Sequence, residues 1–162
     1  MNPSSTLGHV RRGHIHRGFT LIELLVVIAI IGILSSVVLA SLNTARQKGT
    51  DAKIQTQLRS VAVNAEIWYD SNGSKYGVAA NCDAGMFTQT TPNIDVVVND
   101  LQAIAGTASC VSSDVAFAVW HTLVSTTSAF CVDSTGRSLI TNDNTGGSPT
   151  LTTSSVACPS TY

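Results

Sequence analysis

A long, uninterrupted apolar run dominates the front of the chain. Residues 1–17 are polar and show neither a helical nor a strand period, whereas the 24 residues from Phe19 to Leu42 are predominantly apolar. A helix of that length spans about 36 Å, and the hydrocarbon core of a bilayer is about 30 Å thick. The pattern therefore predicts a membrane-spanning helix that carries a single charged residue, Glu23.

The helical period continues beyond the apolar run. An apolar stripe recurs at steps of four and three residues, at Ile54, Leu58, Val61, Ala65 and Trp68. Residues 19–70 contain no proline, and the sequence from Asp70 to Gly73 favours a stop. We predict one helix that is apolar all round in residues 19–42 and amphipathic in residues 43–70. Such a helix has lipid around its first part and a small domain on one face of its second part.

The second half of the chain predicts a small domain with strands. Residues 74–114 are expected to form an irregular connection that holds one short helix, with Asp95 as its cap and Gly106 at its end. β-Branched and aromatic residues separated by turn residues predict three strands, at Val115–Leu123, Ala129–Asp133 and Arg137–Thr141. The predicted fold class is α+β, with a long helix packed on a three-stranded antiparallel sheet.

All four cysteines lie in this second half, at Cys82, Cys110, Cys131 and Cys158. None forms a C-x-x-C pair, which disfavours a zinc site. An even number in an exported domain predicts two disulfides, for which three connectivities are possible. The sequential pairing is favoured, because each bond would then close one irregular segment, the second of them the C-terminal loop.

The formal net charge of −1 hides an uneven distribution. Residues 1–18 carry three arginines and no acid, whereas residues 71–162 carry two cations against six aspartates. A basic start and an acidic body fit a chain whose start stays in the cytoplasm while its bulk is exported. No basic stripe for phosphates is present, which argues against sequence-specific nucleic acid binding.

The junction between the polar start and the apolar run has the sequence Arg17-Gly18-Phe19-Thr20-Leu21-Ile22-Glu23. It resembles the class III signal of type IV prepilins, with glycine before the cut, an aromatic residue after it and glutamate at the fifth position of the mature chain. The resemblance implies a pilin fold. Residues 1–18 are then a cleaved leader, residues 19–42 the membrane anchor and filament core, residues 43–70 the amphipathic half of the helix, and residues 71–162 the head.

The same resemblance implies the partners of the chain. A prepilin peptidase cuts after Gly18 and methylates the new amino group of Phe19, and an inner-membrane assembly machinery adds the subunit to a helical homopolymer. Before assembly, the chain is a single-pass protein of the cytoplasmic membrane, with its N-terminus in the cytoplasm and the lipid bilayer around its anchor. After assembly, it lies in an extracellular filament for adhesion, twitching motility or DNA uptake.

Glu23 is the most informative residue of the run. A carboxylate inside a membrane segment costs about 2–3.5 kcal/mol on insertion scales, so it calls for a partner or a function. The cleaved chain offers the amine of Phe19, four residues away on the same helical face. Within a filament, the family resemblance implies pairing with the Phe19 amine of an adjacent subunit, which would set the axial register.

Two other interpretations stay open. A pseudopilin of a type II secretion or competence system would have the same helix, although the cysteines favour a pilus subunit. A conventional signal peptide, which is cut beyond its apolar segment, would end at Ala40 and would remove Glu23. The chain also lacks the proline that many pilins carry near Ala40, so two alternatives stay open: the helix is straighter than in those pilins, or it opens at Gly32 in the filament.

Nothing in the sequence predicts catalysis, a cofactor or a metal site. No nucleophile motif frames the Ser, His and Asp residues. His121 lies in a predicted strand and is expected to be an ordinary sheet residue. Asp143 and its two flanking asparagines are too few ligands for a calcium loop, and no glutamate closes the segment.

Overall fold

The computed structural model describes residues 18–141 and 156–158. The chain divides into two units, Met1–Ala40 and Ser41–Tyr162. The described elements follow the order α1 (Leu21–Ser71), a 3₁₀ turn (Gly85–Thr88), α2 (Ile94–Gln102), β1 (Ala108–Ser112), β2 (Phe117–Thr122), β3 (Ala129–Asp133) and β4 (Ser138–Thr141).

The long helix α1 begins and ends within two residues of its predicted bounds. Of the predicted apolar stripe, the first four residues are completely buried in the core of the second unit. Trp68, the fifth, lies at the edge of this core, where its indole nitrogen donates to the carbonyl oxygen of Tyr76 at 3.3 Å. The helix ends at Ser71, and two successive residues of positive φ, Gly73 and Ser74, follow it, in line with the stop predicted from the sequence.

The sheet has four antiparallel strands in the order β1-β2-β3-β4, so the prediction of three strands was wrong. The extra strand, β1, lies in the connection that was expected to be irregular. Its sequence, Ala-Ser-Cys-Val-Ser, holds a single β-branched residue and no aromatic one, which is why propensity does not reveal it. The antiparallel pairing with β2 determines the position of β1 instead, because Cys110 and Val111 lie opposite Val119 and Ala118 of β2.

The short helix α2 is present, but its bounds correct two expectations. Its N-cap is Asn93, and Asp95 lies in the first turn, where an acidic side chain favours the helix dipole without capping it. The helix also ends at Gln102, four residues before Gly106. Gly106 has a φ of +133°, and a Cβ there would lie 2.9 Å from Cε1 of His121. It therefore permits the close approach of β1 to β2.

Two disulfides hold the head, in the sequential pairing that the sequence favours. Cys82–Cys110 ties the loop before α2 to β1, and Cys131–Cys158 ties the C-terminal segment to β3. The second bond packs with Trp120 and Ala129 in a small apolar cluster apart from the main core.

Two buried carboxylates fix loops in the second unit. Asp51 of α1 accepts hydrogen bonds from the amides of Val124 and Ser125 and from the Ser125 hydroxyl. Asp133, at the end of β3, accepts from the amide of Arg137 at 3.2 Å and from the amide of Cys158 at 2.9 Å. Neither role is visible in the sequence pattern, because both join residues on different elements.

Candidate functional site: the start of the long helix

A reciprocal cap defines the start of α1. The Thr20 amide and hydroxyl both donate to Oε2 of Glu23 at 2.8 Å, and the Glu23 amide donates back to the Thr20 hydroxyl at 3.3 Å. This arrangement is a capping box, in which two backbone amides that have no helical partner are satisfied by side chains. The capping role of Thr20 was not predicted, although the pattern T-x-x-E ahead of an apolar run signals such a cap.

The helix that follows presents apolar side chains on all sides. Every residue of Leu21–Ala40 is exposed, and Phe19 just ahead of it is 87% exposed. Among the described residues, α1 is long and apolar enough over part of its length to cross a membrane. A soluble protein does not leave so much contiguous apolar surface in water, so these side chains require lipid or other protein chains.

The two glycines of this unit have different surroundings in the chain. Gly18 lies before the helix begins, and no atom lies within 4 Å of the position that a Cβ would take. Packing within the chain therefore gives no reason for glycine at this position. Gly32 lies inside the helix, which runs through it without a break; it lowers the local helix stability by about 1 kcal/mol relative to alanine.

Among the described residues, no group of three or more His, Cys, Asp or Glu side chains is placed to hold a metal ion. In the second unit His121 is completely buried in β2, and its Nδ1 lies 2.6 Å from the carbonyl oxygen of Thr122. Asp143, the residue considered for calcium, lies outside the described residues.

The start of the chain also matches known proteins. The family described as "Prokaryotic N-terminal methylation motif" matches residues 14–39. The type IV wide pilus major component PilA4 of Thermus thermophilus is 41% identical over 58 residues, which are 36% of this chain and 44% of that protein. Residues 14–39 of the chain therefore carry the N-terminal methylation motif. The similarity to the Thermus protein covers less than half of either chain, and no solved structure matches this chain.

The structure places the predicted site residues in two separate groups. Gly18, Phe19 and Glu23 lie together at the start of α1, inside the matched residues 14–39. The four cysteines lie in the head, beyond that match, and are all engaged in disulfides. The first group is thus the candidate for processing and assembly, and the second stabilises the fold.

Proposed function

We propose that this chain is a structural subunit of a type IV pilus, cut after Gly18 and assembled through α1 into a surface filament. The exposed apolar helix ahead of Ser41 is the observation that carries the proposal, because its side chains have no cover within their own chain. Lipid covers them before assembly, and the helices of other copies cover them afterwards. The role is structural, with the head displayed on the outside of the filament.

The position of the cut is supported by the backbone around it. Residues 18–20 lie outside the helix, so a prepilin peptidase would meet non-helical backbone after Gly18, and Gly18 leaves room for close approach. A cut here retains the apolar run on the mature protein. It also places a new ammonium group, on Phe19, at the start of the helix.

The carboxylate of Glu23 is the proposed partner of this new positive charge. A positive group at a helix N-terminus opposes the helix dipole, and both Thr20 bonds go to one carboxylate oxygen, Oε2. The other oxygen, Oε1, is proposed to bind the Phe19 ammonium of an adjacent subunit. Lipid tails are as apolar as the side chains of the anchor, so apolar contact alone gives little drive to leave the membrane. Pairing of these opposite charges in an apolar interior would favour docking at one axial register.

Intact-mass spectrometry of the chain from its native membrane and from sheared surface material tests the proposal. The expected result is a mass that begins at methylated Phe19 and is found in the sheared fraction. The same mass confined to membranes would point instead to a pseudopilin of a secretion or competence system. A chain that begins at Ser41 would show a conventional signal peptide and contradict the proposal.

A further inference from the structure

The part of α1 that directly follows the apolar run, residues 43–53, is basic and is called the exit segment below. It carries three exposed cations, Arg46, Lys48 and Lys53. The chain has nine lysines and arginines, and three of them lie in residues 1–18, so the exit segment holds half of the remaining six. Among the described residues, none of its three cations takes part in an ion pair. Their charge is therefore open to a partner outside the described part of the chain.

The single acid of the exit segment is turned inward. Asp51 is 6% exposed, and its carboxylate accepts from the amides of Val124 and Ser125 and from the Ser125 hydroxyl. The β2–β3 connection that supplies these donors has no charged residue of its own. Asp143, two residues after β4, lies outside the described residues, and its charge would offset at most one of the three cations. The exit segment therefore keeps a positive surface.

The first two cations lie at the level of the lipid headgroups when residues 19–42 span a bilayer. Arg46 and Lys48 lie four and six residues beyond Leu42, or about 6 and 9 Å along the helix. The polar layer on each side of a bilayer is about 5–8 Å thick. Side chains on a helix lean toward its N-terminus, which is here the direction of the bilayer, and long cationic side chains reach headgroups in this way. Both cations are therefore within reach of lipid phosphates.

The arrangement around the helix favours a lipid surface over a protein partner. Arg46 and Lys48 are two residues apart, which places them about 160° apart around the axis. A partner that lies along one side of α1 contacts only one of them, whereas a bilayer through which the helix passes contacts both. Carboxylates of α2 are too distant to interfere, because Asp100 is bonded to Gln57, about 22 Å beyond Leu42 along the helix.

A groove beside Lys48 offers space for a headgroup. It has a volume of about 420 Å³ and lies between α1 and the β2–β3 connection, with Gln55 and Thr126 in its lining. The Thr126 hydroxyl accepts from the amide of Ser128 at 3.3 Å, and its own proton remains available to donate. Lys48 lies at the end of the groove nearest the apolar run. A phosphate at this cation therefore leaves the polar remainder of a headgroup beside hydroxyl and amide groups.

Membrane topology does not account for these cations. Lysines and arginines near a membrane segment normally mark its cytoplasmic side, whereas the exit segment lies on the exported side when the N-terminus of the chain is in the cytoplasm. Large domains cross the membrane largely regardless of their charge, so the cations are tolerated there without directing insertion. A contact that forms after export gives them a role.

We propose that Arg46 and Lys48 bind the phosphate of an acidic phospholipid, with the remainder of its headgroup in the groove beside Lys48. The proposal rests on the proposed function, because it requires the apolar run to remain on the mature chain as an anchor. It adds a specific lipid contact to the membrane-bound subunit, which the subunit gives up when it enters the filament.

Lipid retention by the full-length chain tests this site. The chain is incorporated into vesicles of equal parts phosphatidylglycerol and phosphatidylcholine and extracted in mild detergent, and native mass spectrometry identifies the lipids that it keeps. A cation at a membrane surface contributes about a factor of five in affinity for acidic lipid. Arg46→Gln/Lys48→Gln should therefore reduce the preference for phosphatidylglycerol about tenfold or more. Residues 1–18 are the same in every variant, so this difference reports the exit segment.

Two variants provide matched controls. Arg46→Lys/Lys48→Arg keeps both charges and should keep the preference. Lys75→Gln removes the same charge from an exposed residue beyond the end of α1 and should leave the preference within about twofold of wild type, because salt screens charges over about 10 Å. Thermal unfolding of each solubilised variant shows that it is folded.

Amide hydrogen exchange in vesicles locates the headgroup. Amides of the β2–β3 connection should exchange more slowly with phosphatidylglycerol present than in phosphatidylcholine alone, and excess inorganic phosphate should not reproduce this protection. If the glutamine pair retains phosphatidylglycerol as wild type does, or if free phosphate protects equally, this inference is wrong while the pilus function stands. If the chain from the native membrane begins at Ser41, the proposed function itself fails.

Discussion

Thr20 and Glu23 are joined at the first turn of α1 by three hydrogen bonds, two from backbone amides to side chains and one from the Thr20 hydroxyl to the Glu23 carboxylate. The glutamate that the prepilin resemblance assigns to subunit register therefore also has a local task in the single chain. The cap requires an oxygen acceptor at position 23, whereas pairing with an ammonium group requires a negative charge. A substitution that keeps the oxygen acceptor but removes the negative charge therefore tests the two requirements separately.

Glu23→Gln is expected to leave the helix cap and the cut after Gly18 intact while it impairs assembly. Glutamine serves in a capping box as glutamate does, but it carries no charge for the Phe19 ammonium. The membrane pool should hold the mature mass, and the sheared pool should fall well below wild type. Thr20→Ala is the control, since it removes the cap at a cost of about 1 kcal/mol and keeps the charge. Normal filament numbers in Glu23→Gln would argue against the register role.

Gly106→Ala is expected to destabilise the head more than Gly136→Ala does. Both glycines have positive φ, +133° and +80°, so an alanine at either position is strained, by about 1–2 kcal/mol in the left-handed region. Only at Gly106 would the new methyl group also collide with His121 and Thr122, because nothing lies within 4 Å at Gly136. Denaturant unfolding of the solubilised proteins measures the difference, and equal losses would contradict the close approach of β1 to β2.

The long helix and three of the four strands follow from local patterns, and β1 does not. The apolar stripe of α1, and β3 over Ala129–Asp133, have the periods and residue types of their elements. β1 consists of small residues, and its position depends on Cys110, on β2 and on the isolated bridge between Ala79 and Ser112. Such contacts between distant residues are not encoded in a local period.

The candidate site, like the fold, could be predicted from the sequence only in part. Gly18, Phe19 and Glu23 are recognisable because the motif is contiguous, and Thr20 belongs to the same motif and was within reach of the sequence. That both Thr20 bonds go to a single oxygen of Glu23 was not, since side-chain geometry is not encoded in the motif.

Asp51→Ala is expected to cost about 1–3 kcal/mol of the free energy of unfolding, because the amides of Val124 and Ser125 lose their acceptor. Asp51→Asn retains a carbonyl oxygen and should lose less. Asp70, an exposed residue of the same helix, provides the control, since Asp70→Ala should change stability by no more than about 0.5 kcal/mol. Equal losses at Asp51 and Asp70 in denaturant unfolding would contradict the anchoring role.

The stability of the head should decline in alkali through Tyr76. Burial, together with the hydrogen bond that the hydroxyl donates to Glu66, raises the pKa of Tyr76 above its ordinary value. In the unfolded chain this tyrosine ionises near pH 10, at about its ordinary pKa. The stabilisation is therefore complete below that pH and is lost as the pH rises toward the folded-state pKa. In Tyr76→Phe the free energy of unfolding should fall less steeply above this pH; an unchanged slope would contradict the assignment.

The two disulfides offer a matched test, because they close segments of nearly equal length, with sequence separations of 28 and 27 residues. Chain entropy assigns each about 3–4 kcal/mol. Cys82→Ala/Cys110→Ala and Cys131→Ala/Cys158→Ala should then lose similar stability, measured by denaturant unfolding.

The local effects of the two double substitutions should differ. Loss of Cys131–Cys158 leaves the amide of Cys158 bonded to Asp133, whereas loss of the other bond frees a strand that local propensity does not hold. Amide hydrogen exchange should therefore increase more in β1 of Cys82→Ala/Cys110→Ala than in β3 of Cys131→Ala/Cys158→Ala. The reverse order would show that pairing with β2 is enough to hold β1.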